Sequence, residues 1–198
     1  AYCKATKTND EAVTFVVPSG NFGNALAAYV AKKMGAPIAT IIIATNENDV
    51  LDEFFRTGIY RVRKGSEVKV TSSPSMDIAA ASNLERLIFD LVGHDGKAVA
   101  TLWEELKEKG QIDLHKLDVF ATAQIESGKA SDTEVIETIR TAHKKWNIIL
   151  DPHTAVGMKV ALEHRDSKVP LIVVETAHPA KFAKTIQEAI SIEPPVSK

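Results

Sequence analysis

The segment Val13 to Ala44, VTFVVPSGNFGNALAAYVAKKMGAPIATIIIA, most restricts what this chain can become. Val13 to Val17 is short, β-branched and closed by a proline, which is the pattern of a buried strand. Asn24 to Met34 places Leu26, Ala27, Tyr29, Val30 and Met34 on one face, and Gly35 with Pro37 supplies a stop, so a helix is expected there. Pro37 to Ala44 reads as a second strand buried on both faces. Strand, helix and strand within about thirty residues form a βαβ unit, which requires a parallel pair.

The remainder extends the pattern. Short helices are expected over Asn48 to Arg56 and Asn83 to Leu91, and longer ones over Asp95 to Lys109 and Ser131 to Trp146. Ser131 and Glu134 have the spacing of a capping box. Arg61 to Thr71 alternates weakly. Asp118 to Ser127, Asn147 to Asp151 and Val169 to Thr176 read as strands. His153 to His164 and Pro179 to Ile190 read as helices. Strands alternating with helices predict an α/β fold with a mostly parallel sheet. Residues 58–130 are the least regular and are expected to be an insertion or a separate lobe.

Bulk properties exclude several functions. The chain has 198 residues, 44% hydrophobic and 25% charged, with a formal charge of -2. No basic stripe is present, so nucleic acid is not an expected partner. No apolar run approaches the roughly 20 residues of a membrane span. Cys3 is the single cysteine, which suits a reducing, cytoplasmic setting. The six histidines show no metal-ligand spacing.

Three strand-to-helix junctions carry the candidate chemistry, because ligands of parallel α/β sheets lie at the carboxyl ends of the strands. At the first, Ser19, Gly20, Asn21, Phe22, Gly23 and Asn24 separate strand from helix. Two explanations stand: a tight turn whose glycines permit positive φ, or a main-chain cradle for an anion at a helix N-terminus. Neither a Gly-Lys-Ser/Thr loop nor a G-x-G dinucleotide fingerprint is present. At the second, Asp151 precedes His153, and Gly157 lies early in a helix, where glycine costs roughly 1 kcal/mol relative to alanine unless something approaches closely. His153 is there either as a structural donor or as a functional group. At the third, Thr176 either caps the helix or presents a hydroxyl to a ligand, and Lys181 is expected on the outer helix face. Met76 and Asp77 lie in a Ser-rich loop that either meets substrate or is an ordinary turn.

Together, VPSGNFGN, ATNENDVLDEFF, SPSMDI with SNLERL, LDPHTAVG and TAHPAKF resemble threonine synthase of the longer bacterial and fungal class, in that family's order and across nearly the whole chain. The resemblance implies a three-layer pyridoxal-phosphate fold of type II, like the tryptophan synthase β chain, present here in part. It implies pyridoxal 5'-phosphate as cofactor and conversion of O-phospho-L-homoserine and water to L-threonine and phosphate by elimination and hydration. It assigns Ser19, Gly20, Asn21, Phe22, Gly23 and Asn24 to the cofactor phosphate and Thr176 to the pyridine nitrogen. Asn83, Arg86 and His153 become substrate-side candidates. The family often has Asp at the position of Asn24, a swap that keeps the backbone role and removes a charged side chain. Its Schiff-base lysine lies before the phosphate loop; eighteen residues precede that loop here, and Lys4 and Lys7 stand in a lead-in unlike that motif. The expectation is a carboxyl-terminal portion without a catalytic lysine, whose partner is the missing amino-terminal part of the same enzyme. A related phospho-lyase and a non-catalytic phosphate- or cofactor-binding fragment are the alternatives.

Overall fold

A computed structural model describes residues 11–115, 123–164 and 168–194. Its centre is a four-stranded sheet of β1 (Val13–Pro18), β2 (Ile38–Thr45), β5 (Ile125–Lys129) and β6 (Leu171–Val173), in the order β5-β2-β1-β6. Every pairing in it is parallel. Helix α1 (Gly23–Lys33) joins β1 to β2 and completes the expected βαβ unit.

Side chains alternate along each strand, and the alternation separates two cores. Val17, Ile41 and Ile43 pack on one side with residues of α1, α2 (Val50–Thr57) and α3 (Leu84–Leu91). Val16, Ile42 and Ala44 pack on the other with α5 (Asp132–Trp146), α6 (Pro152–Glu163) and α7 (Ala183–Ile190). The result is the expected three-layer α/β arrangement. Gly157 is explained by this packing. A Cβ there would lie 2.8 Å from Pro18 Cγ and 3.0 Å from Val173 Cγ1, so the approaching group is the sheet itself, and α6 lies close against the ends of β1 and β6.

Between α2 and β5, β3 (Ile59–Arg61) pairs antiparallel with β4 (Gln111–Asp113), and α3 and α4 (Gly96–Lys109) lie between them in sequence. Tyr60, Leu84, Leu87, Ile88 and Ile112 are fully buried in the same core as Phe22 and Phe54.

Several elements depart from the sequence expectation. Asn147 to Asp151 is not a strand: Asn147 ends α5 at φ 54°, and the segment links two helices. It pairs with no strand of the sheet, whose order among the described residues is β5-β2-β1-β6. Arg61 to Thr71 extends no strand beyond Arg61, because its partner β4 has three residues. The strand expected over Val169 to Thr176 is limited to Leu171–Val173. The start of the strand expected over Asp118 to Ser127 lies outside the described residues; Ala123 and Gln124 precede the strand, and β5 runs from Ile125 to Lys129.

Candidate functional site

The β1–α1 junction gains its shape from one side chain and one missing side chain. Phe22, not a glycine, takes the left-handed conformation, at φ 66°. Its ring is fully buried and stacks on Phe55 at 5.8 Å, which holds the strained backbone in place. Gly20 has no room for a Cβ, which would lie 2.9 Å from Ser75 O and 3.1 Å from Met76 Cα. Its role is therefore close approach of another backbone, and neither Gly20 nor Gly23 uses positive φ.

This geometry leaves donors free. Ser19 N–H donates to Ala44 O at 2.9 Å, continuing the sheet, but the amides of Gly20 to Asn24 reach no turn, loop or cap partner among the described residues. Helix α1 has no side-chain cap and no acid in its first turn, so its positive end is uncompensated. Ser19 is buried, and its Oγ has no hydrogen-bond partner among the described residues. An orphaned hydroxyl of this kind costs about 1–3 kcal/mol, which a bound acceptor relieves.

These groups line a cavity of about 280 Å³ that also takes in Asn83, His153 and Thr176, close to the small end of ligand sites. Among the described residues no lysine or arginine lines it. An anion there is held by main-chain dipoles and hydroxyls.

The opposite walls are built by buried polar contacts. His153 is buried, and its Nε2 accepts from Ser75 N–H at 3.2 Å, while Nδ1 faces Asp151 Oδ1 at 2.9 Å. Nε2 as an acceptor leaves the ring proton on Nδ1, directed to Asp151. Asp151 also caps α6, accepting from His153 N and Thr154 N. Thr154 Oγ1 donates to Asp151 Oδ2 and accepts from Thr176 N–H at 3.3 Å. The cap of the following turn is His178, whose Nδ1 accepts from Ala180 N–H, so Thr176 does not cap it; Thr176 lines the cavity.

The strap of residues 73–77 over Gly20 is anchored from behind. Asp77 accepts from Asn46 Nδ2, Asn48 Nδ2 and Thr71 Oγ1 at 2.8, 2.9 and 2.7 Å. These contacts make Asp77 part of the scaffold. Arg86 is exposed on α3 and does not line the cavity. Asn83 does, and its Nδ2 donates to Asn21 O at 2.9 Å. A larger cavity of about 860 Å³ lies at the ends of β2 and β5. Its charges are paired within it: Arg63 and Lys129 with Asp49, Lys69 with Glu47, Lys159 with Glu134 and Arg61 with Glu67. Among the described residues each of these charges has an opposite partner, while Arg63 Nη1 is buried without a hydrogen bond.

Comparisons with known proteins agree with one another. The family described as "Threonine synthase, C-terminal" matches residues 154–198. The threonine synthase of Methylobacillus glycogenes is 48% identical over 196 residues, covering 98% of this chain and 41% of that protein. That of Corynebacterium glutamicum is 47% identical over 199 residues, covering 98% of this chain and 41% of that protein. The crystal structure described as PLP-bound threonine synthase from Brucella melitensis superposes with a TM-score of 0.90 at 42% identity, covering 96% of this chain and 40% of that one. In sequence and fold this chain matches a portion of the threonine synthases. It spans about 40% of the length of the curated relatives it matches.

Within this threonine synthase portion, the structure brings Ser19, Gly20, Asn21, Phe22, Gly23, Asn24, Asn83, His153 and Thr176 around one cavity. Phe22 contributes backbone alone, its ring being in the core. Sequence reasoning missed Ser75, Asp151 and Thr154 as wall-builders. The signal available was Asp-Pro-His-Thr itself: an N-cap residue, a proline at the first helical position and two polar side chains after it.

Proposed function

We propose that this chain is the cofactor-binding side of a threonine synthase, whose whole protein converts O-phospho-L-homoserine and water to L-threonine and phosphate with pyridoxal 5'-phosphate. The carrying observation is that Thr176 shares a cavity with the free amides of Gly20 to Asn24 and the orphaned Ser19 hydroxyl. The residues present fit the cofactor: an anion cradle without cationic side chains, and a neutral hydroxyl across from it. Bound pyridoxal phosphate supplies an electron sink for charge developing next to an amino acid's α-carbon. Main-chain amides and Ser19 Oγ bind its phosphate. Thr176 Oγ1 hydrogen-bonds the ring nitrogen without adding the charge that would favour its protonation. Asn83, held on Asn21 O, borders the substrate side.

Among the described residues no lysine lines the cavity, and turnover is expected of the full-length protein rather than of this chain alone. A soluble, cytoplasmic enzyme is in keeping with the absence, among the described residues, of a helix long and apolar enough to cross a membrane. The test is phosphate release from O-phospho-L-homoserine by the full-length protein. We expect release that depends on pyridoxal phosphate and yields threonine, and a Thr176→Val variant with lower kcat and a shifted cofactor absorption band. Cofactor-independent release, or 2-ketobutyrate as the product, would sink this reading.

A further inference from the structure

We propose that Asp151 is the positioning residue that sets the two walls of this cavity at their working separation, one carboxylate oxygen to each wall. The inference rests on the functional reading above for its consequence, and on geometry alone for its substance. Oδ1 faces His153 Nδ1 at 2.9 Å; His153 Nε2 then accepts from Ser75 N–H at 3.2 Å, and the Ser75–Met76 backbone lies on Gly20. Oδ2 accepts from Thr154 Oγ1, whose lone pair takes Thr176 N–H at 3.3 Å. The first arm ends at the anion cradle, the second at the residue assigned to the ring nitrogen.

Each link needs a defined proton position. Besides the two backbone amides, Asp151 accepts from both side chains, which orients His153 with Nδ1 protonated and Thr154 with its hydroxyl proton toward the carboxylate. Both downstream acceptors are thereby turned toward backbone N–H groups. Asp151 and His153 are 1% and 4% exposed, so water does not compete for these contacts. The Phe182 ring, centred 4.7 Å from the His153 ring, packs against it. His153 is therefore engaged at both nitrogens and acts through Ser75, not as a substrate ligand.

The test uses the full-length protein and reads amide hydrogen exchange by mass spectrometry without ligand, together with inorganic phosphate affinity. His153→Phe is expected to speed exchange in peptides spanning residues 73–77 and to leave Thr176 as it was. His153→Gln, which returns an acceptor near the Nε2 position, restores slow exchange. Thr154→Val speeds exchange at Thr176 alone, and Thr154→Ser does not. Asp151→Ser keeps a helix cap and loses the second oxygen and the reach, so both walls exchange faster. His153→Phe weakens inorganic phosphate binding about fivefold, the worth of one lost hydrogen bond, and Thr154→Val leaves it unchanged. Wild-type exchange at either wall in Asp151→Ser, or equal effects of the two arm variants on both walls, overturns the proposal. Failure of the wild-type protein to bind phosphate would count against the functional reading, while exchange would still decide the role of Asp151.

Discussion

Gly20 and Gly23 look equivalent in the sequence and are not equivalent in space. An added Cβ at Gly20 meets Ser75 O at 2.9 Å, whereas at Gly23 the nearest group is Asn83 Nδ2 at 3.7 Å, an ordinary contact. Gly20→Ala must therefore push the strap outward. We expect it to cost about 1–3 kcal/mol in urea unfolding, the range for overpacking, and to weaken pyridoxal phosphate binding. Gly23→Ala, at the first turn of α1, is expected to stay within about 0.5 kcal/mol of wild type. The sequence made both glycines visible as a cradle, because glycine between strand and helix is a local signal. It hid which of them is sterically required, because the crowding backbone comes from Ser75, fifty-five residues away. It hid the φ of Phe22 for the same reason: a left-handed phenylalanine is held by burial against Phe55, which no local preference reveals.

At the scale of the element, legibility followed the source of the stabilisation. Helix α5 was readable because its start is written locally: Ser131 Oγ accepts from Glu134 N–H at 3.3 Å, and Glu134 Oε2 accepts from Ser131 N–H at 2.8 Å. Asn147 to Asp151 misled because an apolar triplet between polar residues reads the same whether it pairs in a sheet or packs as a link, and only the sheet order decides. The α5 cap makes a quantitative expectation. Ser131→Ala should cost about 1 kcal/mol at neutral pH. The hydrogen bonds from the Ser131 amide and hydroxyl, with the charge of Lys159, hold the Glu134 carboxyl below its ordinary value. A carboxyl depressed by folding stabilises above its unfolded pKa and loses that contribution as pH falls through its folded value. The difference between wild type and Ser131→Ala in chemical denaturation should therefore shrink on acidification below the ordinary carboxylate range. A difference that stayed constant down to full protonation would mean that Glu134 adds nothing to the cap.

At the scale of the molecule, the charged basin at the ends of β2 and β5 ties together segments that the sheet alone does not join. Arg63, beyond β3, pairs with Asp49 of the β2–α2 turn at 2.9 Å and with Glu53 of α2, while Lys129 at the end of β5 reaches Asp49 at 2.8 Å. The Arg63 side chain is 10% exposed and those of Asp49 and Glu53 are 21% and 27% exposed, so the acids would be left partly desolvated without it. Burial acts to raise the Asp49 carboxyl, but the hydrogen bonds and charges of Lys129 and Arg63 outweigh it and hold it below the usual range. Such a network is not legible in the sequence, where each of the four residues is a charge among charges. Its energetics follow from removing one partner: Arg63→Met leaves Asp49 with Lys129 and Glu53 with Arg61 at 3.7 Å, and for acids this partly exposed the cost is about 1–3 kcal/mol, below that of breaking a fully buried pair. The loss belongs to the ionised carboxylates. It should be greatest near neutral pH and decline as pH falls through the depressed range of Asp49, since a protonated Asp49 no longer needs a cation. Because the basin lies apart from the cavity of Ser19 and Thr176, pyridoxal phosphate affinity in the folded variant should match wild type. Urea unfolding across pH 4 to 8, paired with a cofactor titration, checks both halves; a variant as stable as wild type at neutral pH would show that the basin is a solvated surface and not a tether.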